Sequence, residues 1–401
     1  MTPPVALSPL PYHREVRDYL KSSERELWDW FISARAKENY AEELRLSLLK
    51  ATYRLSAETH ADLYRLVESA KVALGFDIPV TLYQAQNGGG PNASIYCLPN
   101  EAHIVMSGAI ASLLDAEELK SVFGHELAHY FLWSTEDEEY MIADRVLTAV
   151  TNDGRAHAAH HETARQYRLH TEIFADRGAA HVTQNLPKVV AALVKSTTGL
   201  TQVSGDSYLE QAAEIFSKEE VRTEELTHPE SYVRAHALAL WTRQGDAANS
   251  SIRGLIEGKP ELQNLDLIGQ RKLTQLTRRF LAELLRPGWF QSIAVIGQAK
   301  LYFPDFTANQ SEDVSITEEL RETGSLLKDY FAFLLLDFAH VDRELEDVPL
   351  AAALRWAENL GISSHFEKLV GKELGIKTRE LNKLKPRISD LLALAEKGAQ
   401  S

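Results

Sequence analysis

The chain has 401 residues, enough for two or three domains, and its 44% apolar and 25% charged content is that of an ordinary globular protein. A formal net charge of −14 argues against nucleic acid and anionic membrane surfaces as partners. Its one cysteine, Cys97, excludes an internal disulfide, and no apolar run approaches the roughly 18 residues of a membrane span.

The longest apolar run, residues 331–336, is broken by Asp337. Met1-Thr2-Pro3-Pro4 does not lead from a basic segment into an apolar core, so no secretory signal is expected, and the expected compartment is the cytoplasm. Residues 12–73 read as helices, with Trp28, Trp30, Phe31, Leu44, Leu46, Leu48 and Leu49 as their apolar surface. The last of these helices, from Ala61 to Ala73, stops at Gly75. Val80-Thr81-Leu82-Tyr83 is strand-like, and Asn87-Gly88-Gly89-Gly90-Pro91 is a turn. Two more strands are expected over residues 93–98 and 103–107, joined through Pro99-Asn100, with Cys97 packing in the first. An edge strand of such a sheet can pair with an extended peptide.

A helix follows. Asp115 suits its N-cap, Glu118 sits three residues on, and Leu119, Val122 and Phe123 give it a buried face. It carries His125-Glu126-Leu127-Ala128-His129, an H-E-x-x-H motif. Positions i and i+4 share a helix face, so His125 and His129 can both aim an imidazole at one zinc ion. Glu126, one step round, can take a proton from a zinc-bound water, whose pKa falls from about 15.7 toward about 7.

Residues 134–166 are polar and acidic, then His-rich. His157, His160, His161 and His170 could hold a second metal, but H-x-x-H-H spacing is poor for one tetrahedral site, and a surface loop or cleft lining is the expected role. Next comes Glu172-Ile173-Phe174-Ala175-Asp176, again with two carboxylates at i and i+4. One can supply the third zinc ligand, and the other can accept the spare N–H of a ligand histidine and fix its tautomer.

Residues 186–240 read as mainly helical, with a turn around Gly205. His228 precedes Pro229 and should end a segment in extended backbone. Gly254, Gly258 and Pro260 mark a linker, and residues 265–401 read as all-helical.

From about residue 56 to 240 the chain resembles the HtpX and CAAX-prenyl-protease family of gluzincin metallopeptidases. The motifs run in that family's order: Gly75-Phe76-Asp77-Ile78-Pro79-Val80-Thr81-Leu82-Tyr83, then Asn92-Ala93-Ser94, then Ile104-Val105-Met106-Ser107-Gly108 with Leu113-Leu114. The zinc helix follows, then Glu172 with Ala175-Asp176-Arg177, and finally Thr227-His228-Pro229 with Arg234. The chain departs from the family at Arg168-Leu169, where Ser-Arg is usual, and in having no membrane-spanning run. The resemblance implies one zinc ion per chain on His125, His129 and Glu172, with Glu126 as general base and Asp176 as the carboxylate behind a ligand histidine. It also implies that Asn92 and Ala93 border the substrate, and that His228 and Arg234 approach the metal site as catalytic residues, one or both stabilising the oxyanion that forms on the scissile carbonyl. His228 could be an inhibitory latch over the metal or a donor to the transition state. Residues 330–370 resemble a TerB-like helical domain through Leu336-Asp337-Phe338-Ala339-His340-Val341-Asp342-Arg343-Glu344-Leu345, with Arg343 where Gly is usual. Asp342, Glu344 and Asp347 there read as a solvated helix start rather than a metal site.

The expected fold is α+β: a helical extension over residues 1–55, a metallopeptidase domain with a small sheet over 56–250, and an all-α interaction or regulatory domain over 260–401. The expected function is zinc-dependent endopeptidase action on a protein or peptide, with a protein partner for the C-terminal domain. Two rivals are a zinc-binding interaction scaffold that rarely cleaves anything and a zinc hydrolase of small amides. A protease assay with and without chelator separates the first from a peptidase.

Overall fold

The computed structural model describes residues 7–34, 39–86, 89–219, 222–224, 227–258, 261–308, 316–317, 320 and 325–399. The chain divides into two compact units, Met1–Gly258 and Lys259–Ser401.

The first unit opens with helices α1 (Pro11–Ser23), α2 (Arg25–Ala34) and α3 (Asn39–Ala51). Strand β1 (Thr52–Arg54) follows directly, so residues 12–73, expected as helices, also contain one short strand. Thr52 Oγ1 donates to the Leu48 carbonyl there, tying the end of α3 to the strand's first residue. Helix α4 (Ala61–Leu74) ends at Gly75, whose φ of 79° is the left-handed conformation that closes a helix. Strands β2 (Val80–Ala85), β3 (Asn92–Leu98) and β4 (Glu101–Ser107) complete a sheet of order β1-β2-β4-β3. Of the turn expected over residues 87–91, Asn87 and Gly88 lie outside the described residues. Asn100, at φ 60°, makes the β3–β4 turn. β2 runs parallel to β4, and β3 antiparallel to it, pairing Asn92 with Ser107 and Leu98 with Glu101. Along β3 Ala93 is buried and Ile95 and Cys97 are half-buried, while Asn92, Ser94 and Tyr96 face outward, so the strand alternates until its last residue, Leu98, which is buried.

Helix α5 (Ile110–Leu113) leads into α6 (Ala116–Ser134), which carries the H-E-x-x-H motif. Its start is a capping box: the Asp115 carboxylate accepts from the backbone N–H groups of Glu117 and Glu118, and Glu118 accepts from that of Asp115. Glu118 is buried and is neutralised by Lys195, whose Nζ stands 2.8 and 2.9 Å from its oxygens. Helices α7 (Glu139–Asn152) and α8 (Ala158–Thr183) come next. The segment read from sequence as a polar insertion therefore has an apolar face of its own: Tyr140, Ile142, Ala143, Val146 and Leu147 of α7 are buried. α8 is buried on nearly every side from Thr163 to Ala180, the mark of a central helix. α9 (Leu186–Thr198), α10 (Gly205–Lys218), α11 (Ser231–Gln244) and α12 (Asn249–Glu257) close the unit. Gly254, expected in a linker, lies inside α12, and the chain turns at Gly258 instead, with φ 67°. The expected N-terminal helical extension packs on this unit through α1: Tyr12, Val16 and Leu20 are buried, and Tyr12 stacks on His170 of α8 at 4.5 Å.

One apolar cluster joins the sheet to α4 and α6 through Leu82, Ile104, Met106, Phe123 and Leu127, and another joins α6, α8 and α11 through Ala128, Phe174, Ala237 and Trp241. The helix that carries the H-E-x-x-H motif thus lies between the sheet and the bundle.

The second unit is all-helical among the described residues, with helices Leu267–Leu284, Ile293–Tyr302, Ser325–Ala339, Val348–Asn359, Ser363–Glu373, Thr378–Leu384 and Ile388–Gly398. Its own core is built on Phe280, Phe290, Phe331, Phe338 and Phe366. Among the described residues, no helix is long and apolar enough to cross a membrane.

Candidate active site

Three elements bring the site together. α6 supplies His125, Glu126 and His129; α8 supplies Glu172 and Asp176; the first turn of α11 supplies Arg234. The helical periods set out each pair on one face, and the crossing of α6 on α8 turns those faces toward each other. Small residues make that crossing possible, with Gly124 and Ala128 on α6 meeting Val182, Ala179 and Gly178 on α8.

His125 Nε2 stands 3.3 Å from His129 Nε2 and 3.4 Å from Glu172 Oε2, and His129 Nε2 stands 3.7 Å from Glu172 Oε1. Ligand atoms at about 2.0–2.1 Å from a tetrahedral zinc are about 3.4 Å apart. The three side chains therefore already hold the spacing of a zinc ligand set, and they form one cluster of donors within 4.8 Å of one another. Among the described residues Glu172 Oε2 is buried without a hydrogen-bond partner, as an oxygen reserved for a cation would be.

The histidine ring is oriented from behind. His125 Nδ1 donates to Asp176 Oδ1 at 3.1 Å, which leaves the Nε2 lone pair facing the cluster. Arg234 grips the same carboxylate with two bonds, Nε to Oδ2 at 2.8 Å and Nη2 to Oδ1 at 2.6 Å. Its Nη2 is also 3.8 Å from Glu172 Oε2. Burial works against the Asp176 charge, but Arg234 and His125 outweigh it and hold the carboxyl below its ordinary range. Glu172 is likewise held well below its ordinary value, since His125, His129 and Arg234 outweigh its burial. Burial drives His129 down to about 4 and so favours the neutral imidazole that a metal needs. For His125 burial also lowers the pKa, but Asp176 and Glu172 carry it up to about 10. Burial, with Glu172 adding to it, raises Glu126 to about 7 against the pull of His125 and Arg234. A carboxylate with that value can both accept and release a proton near neutrality.

Of the other residues singled out from sequence, Asn92 and Ala93 of β3 line the same cavity of about 430 Å³ as the metal cluster. His228 lines it too, in the segment before α11, with Nε2 3.6 Å from Glu172 Oε1 and its side chain largely exposed. Its Nδ1 pairs with Thr227 Oγ1 at 3.1 Å. His228 is near Glu172 but outside the three-donor cluster. The four histidines of the His-rich stretch are not one group. His160 Nδ1 accepts from the His157 backbone N–H at the start of α8, whereas His170 is buried against Tyr12 and 3.5 Å from Glu257 Oε1.

Sequence reasoning gave no place in this cavity to Trp133, Asp144 or Arg168, all of which line it. Two of them were within reach of that reasoning. Trp133 lies four residues after His129, and Arg168 four before Glu172, each one turn along a face already identified. Asp144, on α7, had no such signal.

No curated protein and no solved structure matches the chain. Residues 56–242 match the family model of peptidase family M48, a stretch that includes the three strands β2 to β4, the motif helix, the glutamate helix and most of α11. Residues 56–242 are thus similar to peptidase family M48, and this similarity supports a zinc metallopeptidase family.

Proposed function

We propose that the protein is a zinc-dependent metalloendopeptidase that hydrolyses peptide bonds in the cleft between β3 and the crossing of α6 and α8. The observation that carries this reading is the convergence of His125, His129 and Glu172 at zinc-ligand spacing, with Glu126 beside them in a cleft bordered by an edge strand. A zinc ion held by these three residues supplies positive charge that polarises the scissile carbonyl and brings a water toward ionisation. The Glu126 carboxylate takes a proton from the attacking water and passes it to the leaving amine. β3 holds the substrate in extended form, because its outer backbone groups can pair with a peptide strand across the cleft. Asp176 keeps the His125 ring in one tautomer, and Arg234 keeps Asp176 ionised and in place, so Arg234 is a positioning residue. His228 stands at the rim as a donor to the carbonyl oxygen as charge develops on it.

Within the zinc metallopeptidases, the order of motifs points to the HtpX and CAAX-prenyl-protease group. The C-terminal unit is an interaction or regulatory module in this reading, and the compartment is the cytoplasm. The test is cleavage of an unstructured protein by the purified chain, with and without a chelator, followed by zinc add-back, with product ends read by mass spectrometry. Cleavage that ignores the chelator would reject the metal mechanism. Absence of cleavage with zinc bound would favour the scaffold.

A further inference from the structure

The cavity that holds the metal cluster is also lined by Trp133 of α6, Asp144 of α7 and Arg168 of α8. Asp144 is half-buried, yet it makes no hydrogen bond or ion pair with any described residue. Burial raises its pKa, while Arg168 and Arg145 pull in the other direction without pairing with it. A carboxylate partly withdrawn from water and bonded to no described residue favours a cation that comes within pairing distance. Arg168 does not have the same need, because it is exposed and its guanidinium is hydrated. Trp133 adds a second feature. Its ring lies beside His129, with centroids 5.4 Å apart, and borders the same cavity. An indole face attracts an ammonium or guanidinium group and also covers the alkyl stem that carries it.

We infer that Asp144 and Trp133 form a specificity subsite for a cationic side chain, Lys or Arg, of the peptide substrate. The inference rests on the peptidase reading above and names the substrate class of that site. The chain's net charge of −14 works in the same direction, drawing basic peptides toward the cleft from a distance. Arg168 opposes the incoming cation, and its exposed side chain can swing into water to make room. It therefore limits the preference rather than creating it.

The test uses the full-length zinc-loaded protein and a set of quenched fluorescent peptides. The peptides differ only in carrying Lys, Ala or Glu at each position around the cleaved bond. Wild type should show, at one position, kcat/KM about tenfold higher for Lys than for Glu, as expected of a partly desolvated charge pair. Asp144→Asn should bring that ratio close to one, Asp144→Lys should invert it, and Arg168→Ala should increase it. Zinc content of one per chain in each variant serves as the check on folding. A wild-type enzyme indifferent to charge at every position overturns the inference, as does a preference that survives Asp144→Asn. The same peptides are also measured for binding to the Glu126→Gln protein by fluorescence anisotropy. This arm separates the two readings. Binding that favours Lys and depends on Asp144, without any cleavage by wild type, supports the subsite and rejects the peptidase. Cleavage with no dependence on Asp144 does the reverse.

Discussion

Only a hydrogen fits on Gly178 where it faces Ala128, since a Cβ placed there would lie 2.2 Å from the Ala128 Cβ. Ala128 lies between Leu127 and His129, a ligand in the proposed site, and Gly178 is two residues past Asp176, so this contact sets the distance between the two helices that carry the proposed ligands. Gly178→Ala must push α8 away from α6 and draw Glu172 off the histidines. Overpacking of this kind costs about 1–3 kcal/mol. The expected result is a lower melting temperature and zinc affinity weakened by about tenfold or more, as for losses just behind a metal ligand. Adding Ala128→Gly in the same chain restores the space, at a helix cost of about 1 kcal/mol, and should recover much of the zinc affinity. Zinc titration of the three proteins checks this, and wild-type affinity in Gly178→Ala would show that the crossing does not set the ligand spacing.

Glu126→Gln should keep zinc and lose activity. The side chain is not among the three clustered donors, and the amide keeps its shape but cannot accept the proton. Loss of a general base costs about 10²–10⁴-fold in rate. Metal analysis beside a peptide-cleavage assay checks both halves, and near-wild-type cleavage would reject the role given to Glu126.

The proposed metal site drew on the sequence because helical period turns spacing into geometry. His125 with His129 and Glu172 with Asp176 each had to share a face, and the Asp115–Glu118 box marked where the first helix begins. The small sheet was equally readable from strand alternation and from the turn at Pro99-Asn100. Other features were hidden because they depend on tertiary packing. Nothing local says that Arg234 will reach Asp176 from a helix 58 positions away. The strand over Thr52–Arg54 exists because β2 offers it an edge, which overrides the helical pattern before it. Asp144 was missed for the same reason, since it reaches the cleft only because the α7 face bearing Ala143 and Val146 packs inward.

Removal of a ligand and removal of its support should be distinguishable. His125→Ala, His129→Ala and Glu172→Ala should each abolish tight zinc binding. Asp176→Asn should weaken metal affinity or activity by about 10–100-fold. Arg234→Ala should resemble Asp176→Asn, because its two bonds to that carboxylate are what it gives the site. Competition against a zinc-binding dye ranks the five. If Glu172→Ala held zinc as tightly as wild type, the third ligand would have to be sought elsewhere.

His228→Ala should lower kcat while zinc content stays at one per chain. The imidazole lies 3.6 Å from Glu172 Oε1 but outside the donor cluster, at the rim that a scissile carbonyl would face. Loss of a single donor of this kind typically costs about 10²–10³ in kcat. Steady-state kinetics with parallel metal analysis checks it. A rise in basal cleavage would instead identify His228 as a plug that swings onto the metal.

A chain ending at Gly258 should fold and bind zinc. Every residue of the proposed site lies before that point, and the first unit has apolar clusters of its own, joining the sheet to α4 and α6 and α8 to α11 and α12. The second unit likewise has its own phenylalanine-rich core, so neither lacks an apolar interior without the other. A cut at residue 55 should behave differently. Removing the N-terminal helices strips Tyr12 from His170 and takes away His13, whose Nε2 lies 3.2 Å from Thr171 Oγ1, next to Glu172 in the chain. The shorter protein should therefore be poorly folded and bind zinc weakly, although it would retain all of residues 56–242. Zinc stoichiometry and thermal melting of the two truncations decide the matter. An insoluble chain ending at Gly258 would mean that the units depend on each other to fold, and a stable protein beginning at residue 56 would show α1 to be dispensable to the site.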